Sequence, residues 1–284
     1  MVSMNERVLV TGAAGQVGRA VLTLLSGRGV PVTALVLEPG DGLAADRVVT
    51  GDACDPVTVA RALNGVTAVI HLAALPSPGH GTPDQVFTTN TRATFVVLEE
   101  AGRQGVRHAS IAGSYAVGGL PFSPHPVTPP YLPVDVETPL LIGDPYALSK
   151  RVDEATAAMM ATRHGMSVTC LRLPYIGGHL DRLPTLAAQY AARPQSGAND
   201  VWSYIDTRDA ARAMALGLEV AEPGAHVCYV AAPRTLSPLP TEELLDRFLP
   251  DVPRRRSFEG REVPIDLEPA RKLLGFEAEH LFEG

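Results

Sequence analysis

The 284-residue chain is predicted to be an α/β protein, a doubly wound parallel sheet with a small C-terminal lobe, on three observations. Short apolar runs alternate with helical patterns from Arg7 to about Arg172. A glycine turn, Thr11-Gly12-Ala13-Ala14-Gly15-Gln16-Val17-Gly18, joins the first run to the first helical pattern. Tyr146 and Lys150 fall at i and i+4, on one face of a later helix. Such alternation argues for parallel strands wrapped by helices on both faces.

The first strand is Val8–Val10, and the helix after the turn repeats through Val21, Leu22 and Leu25. Gly12 permits the tight turn, Gly15 lets backbone approach a pyrophosphate, and Gly18 lets the helix pack against the strand. Further strands are read at Val32–Val36, Val48–Val49, Val69–Leu72, Ala109–Ile111 and Val168–Leu171. Most are continuously apolar, as expected when both faces of a sheet are covered. Pro121 to Pro145 holds eight prolines in 25 residues, which excludes a helix or a central strand. Lying between Ser114 and Tyr146, it is expected to cross the ligand edge of the sheet. After Gly177 a helix around Leu183–Ala192, a strand around Val201–Ile205, a helix from Asp206 to Val220 and short elements beyond Ala225 indicate a lobe. The expected division is a dinucleotide-binding domain, 1–174, and a substrate lobe, 175–284, interleaved with the last part of the sheet at about 201–230. Ligands of such sheets sit at the carboxyl ends of the strands, so the lobe should close a cleft.

Charged residues make up 19%, hydrophobic ones 45%, and the net charge is -7, a globular composition that disfavours nucleic acid as a partner. The triplet Arg254-Arg255-Arg256 reads as a solvated loop after Pro253 rather than a phosphate site. Cys54, Cys170 and Cys228 lack metal-ligand spacing and read as reduced thiols. Eight histidines stand without paired spacing, so no metal site is expected. A basic-then-apolar leader is not seen, nor any apolar run near the ~20 residues that span a bilayer. The expectation is a cytoplasmic protein without a membrane partner.

Besides the glycine turn and Tyr146-Ala147-Leu148-Ser149-Lys150, the chain carries Gly51-Asp52, His71-Leu72-Ala73-Ala74, Asn90 with Thr94, and Ser114, in that order. From about Arg7 to Ala211 this set resembles the extended short-chain dehydrogenase/reductase family, also described as the NAD-dependent epimerase/dehydratase family. Its members include nucleotide-sugar epimerases and dehydratases and uronate dehydrogenases, on a Rossmann sheet. The resemblance implies Ser114, Tyr146 and Lys150 as catalytic residues, Ser114 being preferred to Ser110, which falls inside a strand. It implies cofactor contacts from Gly12, Gly15, Gln16, Val17 and Gly18, from Glu38, Asp52 and Ala53, from Leu72, Ala73, Ala74 and Asn90, and from Tyr146, Lys150, Pro174 and Tyr175. Substrate would meet Leu75, Ser114, Tyr115, Tyr175 and Trp202, with His80 and His179 at the mouth. The family's equivalent helices pair across a two-fold axis, which implies a homodimer here through Phe95, Leu98, Ala155, Ala158 and Met159.

Departures from the pattern narrow the chemistry. Val36 stands where aspartate is common and Leu37 where NADP users often carry arginine; Glu38 favours NAD, and Arg19 leaves NADP as the alternative. Asp52 should bond the adenine, while Asp55-Pro56 fits a helix cap. Tyr115 and Ala116 replace the Asp-Glu pair of the family's dehydratases, which argues against dehydration. Tyr175 and Trp202 stand where an asparagine and an arginine usually hold a sugar-nucleotide diphosphate, with Arg182 or Arg208 as the available substitutes. The opening glycine segment resembles uronate dehydrogenases. The leading reading is an NAD(P)-dependent oxidoreductase that moves hydride between nicotinamide and a hydroxyl or carbonyl carbon of a sugar-like or other small hydroxy/keto substrate. A nucleotide-sugar epimerase and a non-catalytic cofactor-sensing protein are the alternatives.

Overall fold

A computed structural model describes residues 7–283. Seven strands form one all-parallel sheet: β1 (Val8–Thr11), β2 (Val32–Val36), β3 (Arg47–Thr50), β4 (Ala68–His71), β5 (His108–Ser114), β6 (Ser167–Leu173) and, after two short strands, β9 (Gly224–Tyr229). Their spatial order is β3-β2-β1-β4-β5-β6-β9. The chain therefore starts near the middle, runs to one edge and returns to build the other. The carboxyl ends of β1 and β4 consequently lie side by side at the reversal, where a doubly wound sheet takes its ligand. Pairing of Thr11 with His71 fixes that register.

Helices α1 (Gln16–Gly27), α2 (Pro56–Ala62), α3 (Pro83–Arg103) and α4 (Pro145–His164) cross over between strands. One apolar layer packs α1 and α6 (Thr207–Leu216) onto the sheet through Val21, Leu22, Leu25, Ala210 and Met214. The other packs α2, α3 and α4 through Val59, Val97, Leu98, Ala157 and Met160. Two glycines are dictated by these packings. A Cβ on Gly18 would lie 2.4 Å from the Gly12 carbonyl oxygen, and Gly12, at φ +63°, has Ala73 N 2.7 Å from the same imagined atom.

A third cluster underlies the C-terminal elements α5 (Arg182–Ala192) and α7 (Thr241–Phe248), while α8 (Glu268–Leu274) packs Ala270 and Leu274 into the first layer. It also takes in Leu120 and, from the proline-rich segment, Leu132 and Val134; that segment forms neither helix nor strand before Pro145 opens α4, and it is tied down by backbone bonds such as Leu132 N to Pro253 O, 2.8 Å. The strand expected at Val201–Ile205 is shorter. Val201 and Trp202 have φ of 48° and 54° and form a turn, so pairing is confined to β8 (Tyr204–Asp206) against β7 (Tyr175–Gly177). The helix expected from Asp206 to Val220 ends at Leu216 and continues only as a 3-10 turn to Glu219. Each arginine of the basic triplet meets a carboxylate: Arg254 with Asp246 at 2.7 Å, Arg255 with Asp135 at 3.0 Å, Arg256 with Glu262 at 2.7 Å. Among the described residues, no helix is long and apolar enough to cross a membrane.

Candidate active site

The floor of the cleft is the glycine turn together with the loop that leaves β4. Thr11 Oγ1 accepts from Leu72 N and Ala73 N, both at 3.2 Å, and lies 2.8 Å from His71 Nδ1. With both lone pairs used, the Thr11 hydroxyl donates to Nδ1, which assigns the ring proton to Nε2, 3.2 Å from Thr94 Oγ1. Burial, with the Lys150 charge nearby, pushes His71 down to about 3, so the imidazole is neutral. Asn90 braces the other end of the loop. Its Oδ1 accepts from Leu75 N at 2.8 Å and its amide donates to Leu75 O and Ser149 Oγ, each at 3.1 Å. That corrects the expected direct cofactor contact: Asn90 is buried and engaged with protein, and it braces Leu75 instead.

The start of α1 suits a diphosphate. Gly15 is its N-cap without a side-chain acceptor, and no acid stands in the first turn. The N–H groups of Gln16, Val17 and Gly18 therefore open a helix whose positive end has no internal anion. Beyond β2, Leu37 and Glu38 are exposed, and Arg19 donates to the carbonyls of Ala14, 3.0 Å, and Asp41, 3.3 Å. Asp52 is exposed at the end of β3, accepting from Cys54 N at 2.8 Å, beside the buried Ala53. Asp55, not Asp52, caps α2, accepting from Val57 N and Thr58 N. Glycines packed on backbone, an uncapped helix start and an open carboxylate beyond the strands fit a dinucleotide.

Ser114 ends β5, with its Oγ accepting from Ala116 N at 3.1 Å. Tyr146 lies in the first turn of α4, which Asp144 caps through Ala147 N at 2.9 Å. Its ring is buried against Val86, Ala116 and Leu75, and Phe122 stands edge-on, 5.8 Å away at 83°. One turn further on, Lys150 Nζ is 5.9 Å from the Tyr146 ring centroid. The ammonium donates to Ala112 O at 3.0 Å and to Asp153 Oδ2 at 3.3 Å, both side chains being buried. Burial raises the Asp153 carboxyl above its ordinary value, and Lys150 beside it offsets only part of that rise. Asp153 was missed in the sequence, although its i+3 spacing from Lys150 was a signal. Glu154 beside it holds Arg172 in a buried pair at 2.7 and 3.1 Å.

Two expected substrate residues are not at the cleft surface. Trp202 is fully buried in the third cluster, tilted against Phe248 at 6.3 Å, with Nε1 donating to Pro194 O at 2.6 Å. The left-handed turn at Val201–Trp202 drives the indole inward. Tyr115 is 2% exposed and packs on Tyr229, ring centroids 6.0 Å apart. Pro174 is buried after β6, whereas Tyr175 is half-buried with its hydroxyl accepting from Arg182 Nε at 3.2 Å. His80 and His179 are exposed; the first lies 2.7 Å from Ser77 Oγ and the second 3.0 Å from Arg208 Nη2. Arg208 is held by Asp206 at 2.8 Å.

Residues 8–231 match the model of the family described as the NAD dependent epimerase/dehydratase family. The sterol demethylase protein B of Methylococcus capsulatus is 31% identical over 186 residues, 64% of this chain and 55% of that protein. The L-arabinose 1-dehydrogenase (NAD(P)(+)) of Haloferax volcanii is 31% identical over 176 residues, 60% of this chain and 67% of that protein. The chain thus aligns with little more than half of the first relative and two thirds of the second. Among solved structures, a short-chain dehydrogenase/reductase superfamily protein from Agrobacterium tumefaciens with bound NAD superposes with a TM-score of 0.70 at 25% identity, covering 98% of this chain and 94% of that one. With the sheet order, the glycine turn and a family model matching most of its length, the chain belongs to the NAD dependent epimerase/dehydratase family, an enzyme family whose cofactor is NAD.

Proposed function

We propose that the protein is an oxidoreductase that moves hydride between NAD and a hydroxyl or carbonyl carbon of a compact, sugar-like or other small hydroxy/keto substrate. The observation that carries this reading is Tyr146 in an apolar collar with Lys150 one helical turn away and Ser114 at the neighbouring strand end. NAD, held by the glycine turn and the start of α1, would supply the hydride acceptor or donor. As hydride leaves the carbon, the substrate hydroxyl proton passes to Tyr146 Oη, and in reduction it returns to the carbonyl oxygen. A free phenol has a pKa of about 10, so the base form needs a neighbouring cation. Lys150 supplies it, and Asp153 holds that ammonium in place beneath the ring. Ser114 donates to the reacting oxygen and keeps it near Tyr146. Glu38 faces the ribose hydroxyls, while Arg19 is engaged with backbone carbonyls.

The surroundings support a substrate without a diphosphate. Leu75 and Phe122 flank Tyr146, and Arg172 and Arg208 are held in ion pairs with Glu154 and Asp206. In this reading residues 175–284 act as the substrate lobe, and two copies pair through the exposed residues of α3 and α4.

A screen of nicotinamide absorbance against sugars, uronates and aromatic ketones, run with NAD and NADP, finds the substrate. On that substrate, Tyr146→Phe is expected to keep NAD affinity within a few-fold and to lose roughly 100-fold or more in turnover. Undiminished turnover removes Tyr146 from the mechanism. Calorimetry with UDP, dTDP and GDP in the presence of NAD tests the substrate class: micromolar binding of any of them restores the nucleotide-sugar epimerase.

A further inference from the structure

Arg182 opens α5 on the lobe side of the cleft, yet it reaches the glycine turn of the sheet. Its Nη1 donates to Gln16 Oε1 at 3.2 Å, its Nε to Tyr175 Oη at 3.2 Å, and its guanidinium carbon lies 4.8 Å from the Tyr175 ring centroid. Gln16 is the first residue of α1, where the uncapped N–H groups gather. The Gln16 amide is itself steered from the lobe, donating to Thr207 Oγ1 at 2.9 Å and Asp181 Oδ2 at 3.4 Å. Both partners of the guanidinium are neutral. Among the described residues Arg182 makes no ion pair, in contrast to Arg172, Arg208, Arg212, Arg254, Arg255 and Arg256. Even the adjacent Asp181 turns its carboxylate onto Gly178 N, at 2.6 Å, and onto the start of its own helix. An exposed, unneutralised guanidinium is thus held by an aromatic ring and an amide beside the positive end of a helix, and Arg19 occupies the other side of the same turn.

We propose that Arg182 is a cofactor-binding residue that grips the diphosphate of the dinucleotide against the first turn of α1. The assignment rests on the NAD-dependent reading above and adds to it a residue outside the glycine turn. At the Nη groups the Gln16 oxygen gives way to phosphate oxygens, which accept two parallel N–H groups far better than a neutral amide does. Tyr175 keeps Nε and the guanidinium plane fixed during the exchange. Because Arg182 belongs to the lobe and Gln16 to the sheet, bound diphosphate ties the two sides of the cleft together, and cofactor release requires that tie to open. The departure that places Tyr175 after β6 thereby acquires a role: it is the platform for the arginine.

Calorimetric titration of the full-length chain with NAD, ADP-ribose and adenosine tests this. Arg182→Ala is expected to weaken NAD and ADP-ribose by about 10- to 100-fold, leave adenosine unchanged, and flatten the salt dependence of NAD binding. Arg182→Lys should recover part of the loss, since it returns the charge without the fork. Equal NAD affinity in wild type and Arg182→Ala overturns the assignment, as does an equal loss for adenosine, which marks a merely structural role. If Arg182→Ala weakens UDP while NAD is untouched, the arginine serves a substrate diphosphate and the assignment also fails. A wild-type chain that binds neither NAD nor ADP-ribose refutes the dinucleotide reading itself, an outcome distinct from binding that ignores residue 182.

Discussion

The two walls of the cleft are built differently. The sheet side is backbone: glycines with no room for a Cβ, free N–H groups at a helix start, and a loop pinned between Thr11 and Asn90. The lobe side is side chains: Trp202 and Tyr190 buried in one cluster with Tyr115 and Tyr229 from the sheet's β5 and β9 ends, with Tyr175 and Arg182 left nearer the surface. A backbone wall tolerates no substitution at its glycines, yet it presents the same cradle whatever the neighbouring side chains are. A side-chain wall can be recut residue by residue. Cofactor and substrate are accordingly served by materials with different tolerance to change.

Substitution separates the walls most sharply in stability. Trp202→Ala should cost roughly 3–5 kcal/mol, the scale for emptying a buried aromatic site, while NAD affinity per folded molecule stays the same. Denaturant melts with NAD titration of the folded fraction read this, and a variant that melts like wild type returns Trp202 to the cleft. Gly18→Ala should destabilise by about 3 kcal/mol or more, because the new methyl meets main-chain atoms that cannot yield, and here NAD binding should fall along with stability. A Gly18→Ala protein with normal NAD affinity would break the contrast between the walls.

Acid should find the sheet side first. His71 is held neutral at about 3 by burial and Lys150, against an unfolded value near 6.5. The unfolded chain therefore binds this proton more readily between those values, so the contribution of His71 is fully present above about 6.5 and declines as pH falls toward 3. Comparing melting midpoints of wild type and His71→Gln from pH 7 to pH 4 should show the gap between them closing as pH drops; a constant gap excludes His71 as the titrating group. The smallest effect concerns association. Phe95, Leu148 and Met159 are exposed on α3 and α4 at 45%, 43% and 38%, with Ala155 and Ala158 beside them, whereas Leu98 is core and drops out of the expected face. Light scattering should give a dimer at micromolar concentration and a monomer for Phe95→Glu combined with Met159→Glu. A wild-type mass of 30 kDa ends the dimer proposal.

The same contrast explains what was legible. Six of the seven main strands, the glycine turn and the Tyr146–Lys150 helix follow from local apolar runs and fixed spacings, and contacts within such units need no knowledge of distant chain; β9 falls among the short elements beyond Ala225 and is not marked as a strand. Trp202 was misplaced because two consecutive residues at positive φ are invisible in a Val-Trp-Ser-Tyr run that reads as a strand. Asn90 was read as touching cofactor because its partners, Leu75 and Ser149, lie 15 and 59 residues away. Tyr115 was taken for a pocket residue on its nearness to Ser114, but the 3-10 turn after β5 swings it toward β9. Arg182 was noticed only as a possible substitute, since its meeting with Gln16 spans 166 residues.

The chain carries its positive charge almost wholly on arginine; of its 24 basic Lys and Arg residues only Lys150 and Lys272 are lysine. One is enclosed beneath the Tyr146 ring with a side chain 6% exposed, and the other stands 76% exposed on α8. Labelling of lysine side chains, read on the lysine-bearing peptides, is thereby reduced to two sites, one modified at once and one modified only when α4 and the cleft part. Lys272 serves as the internal clock for reagent reactivity, and the rate of the second label counts the openings of the active site without any spectroscopic probe having to be introduced.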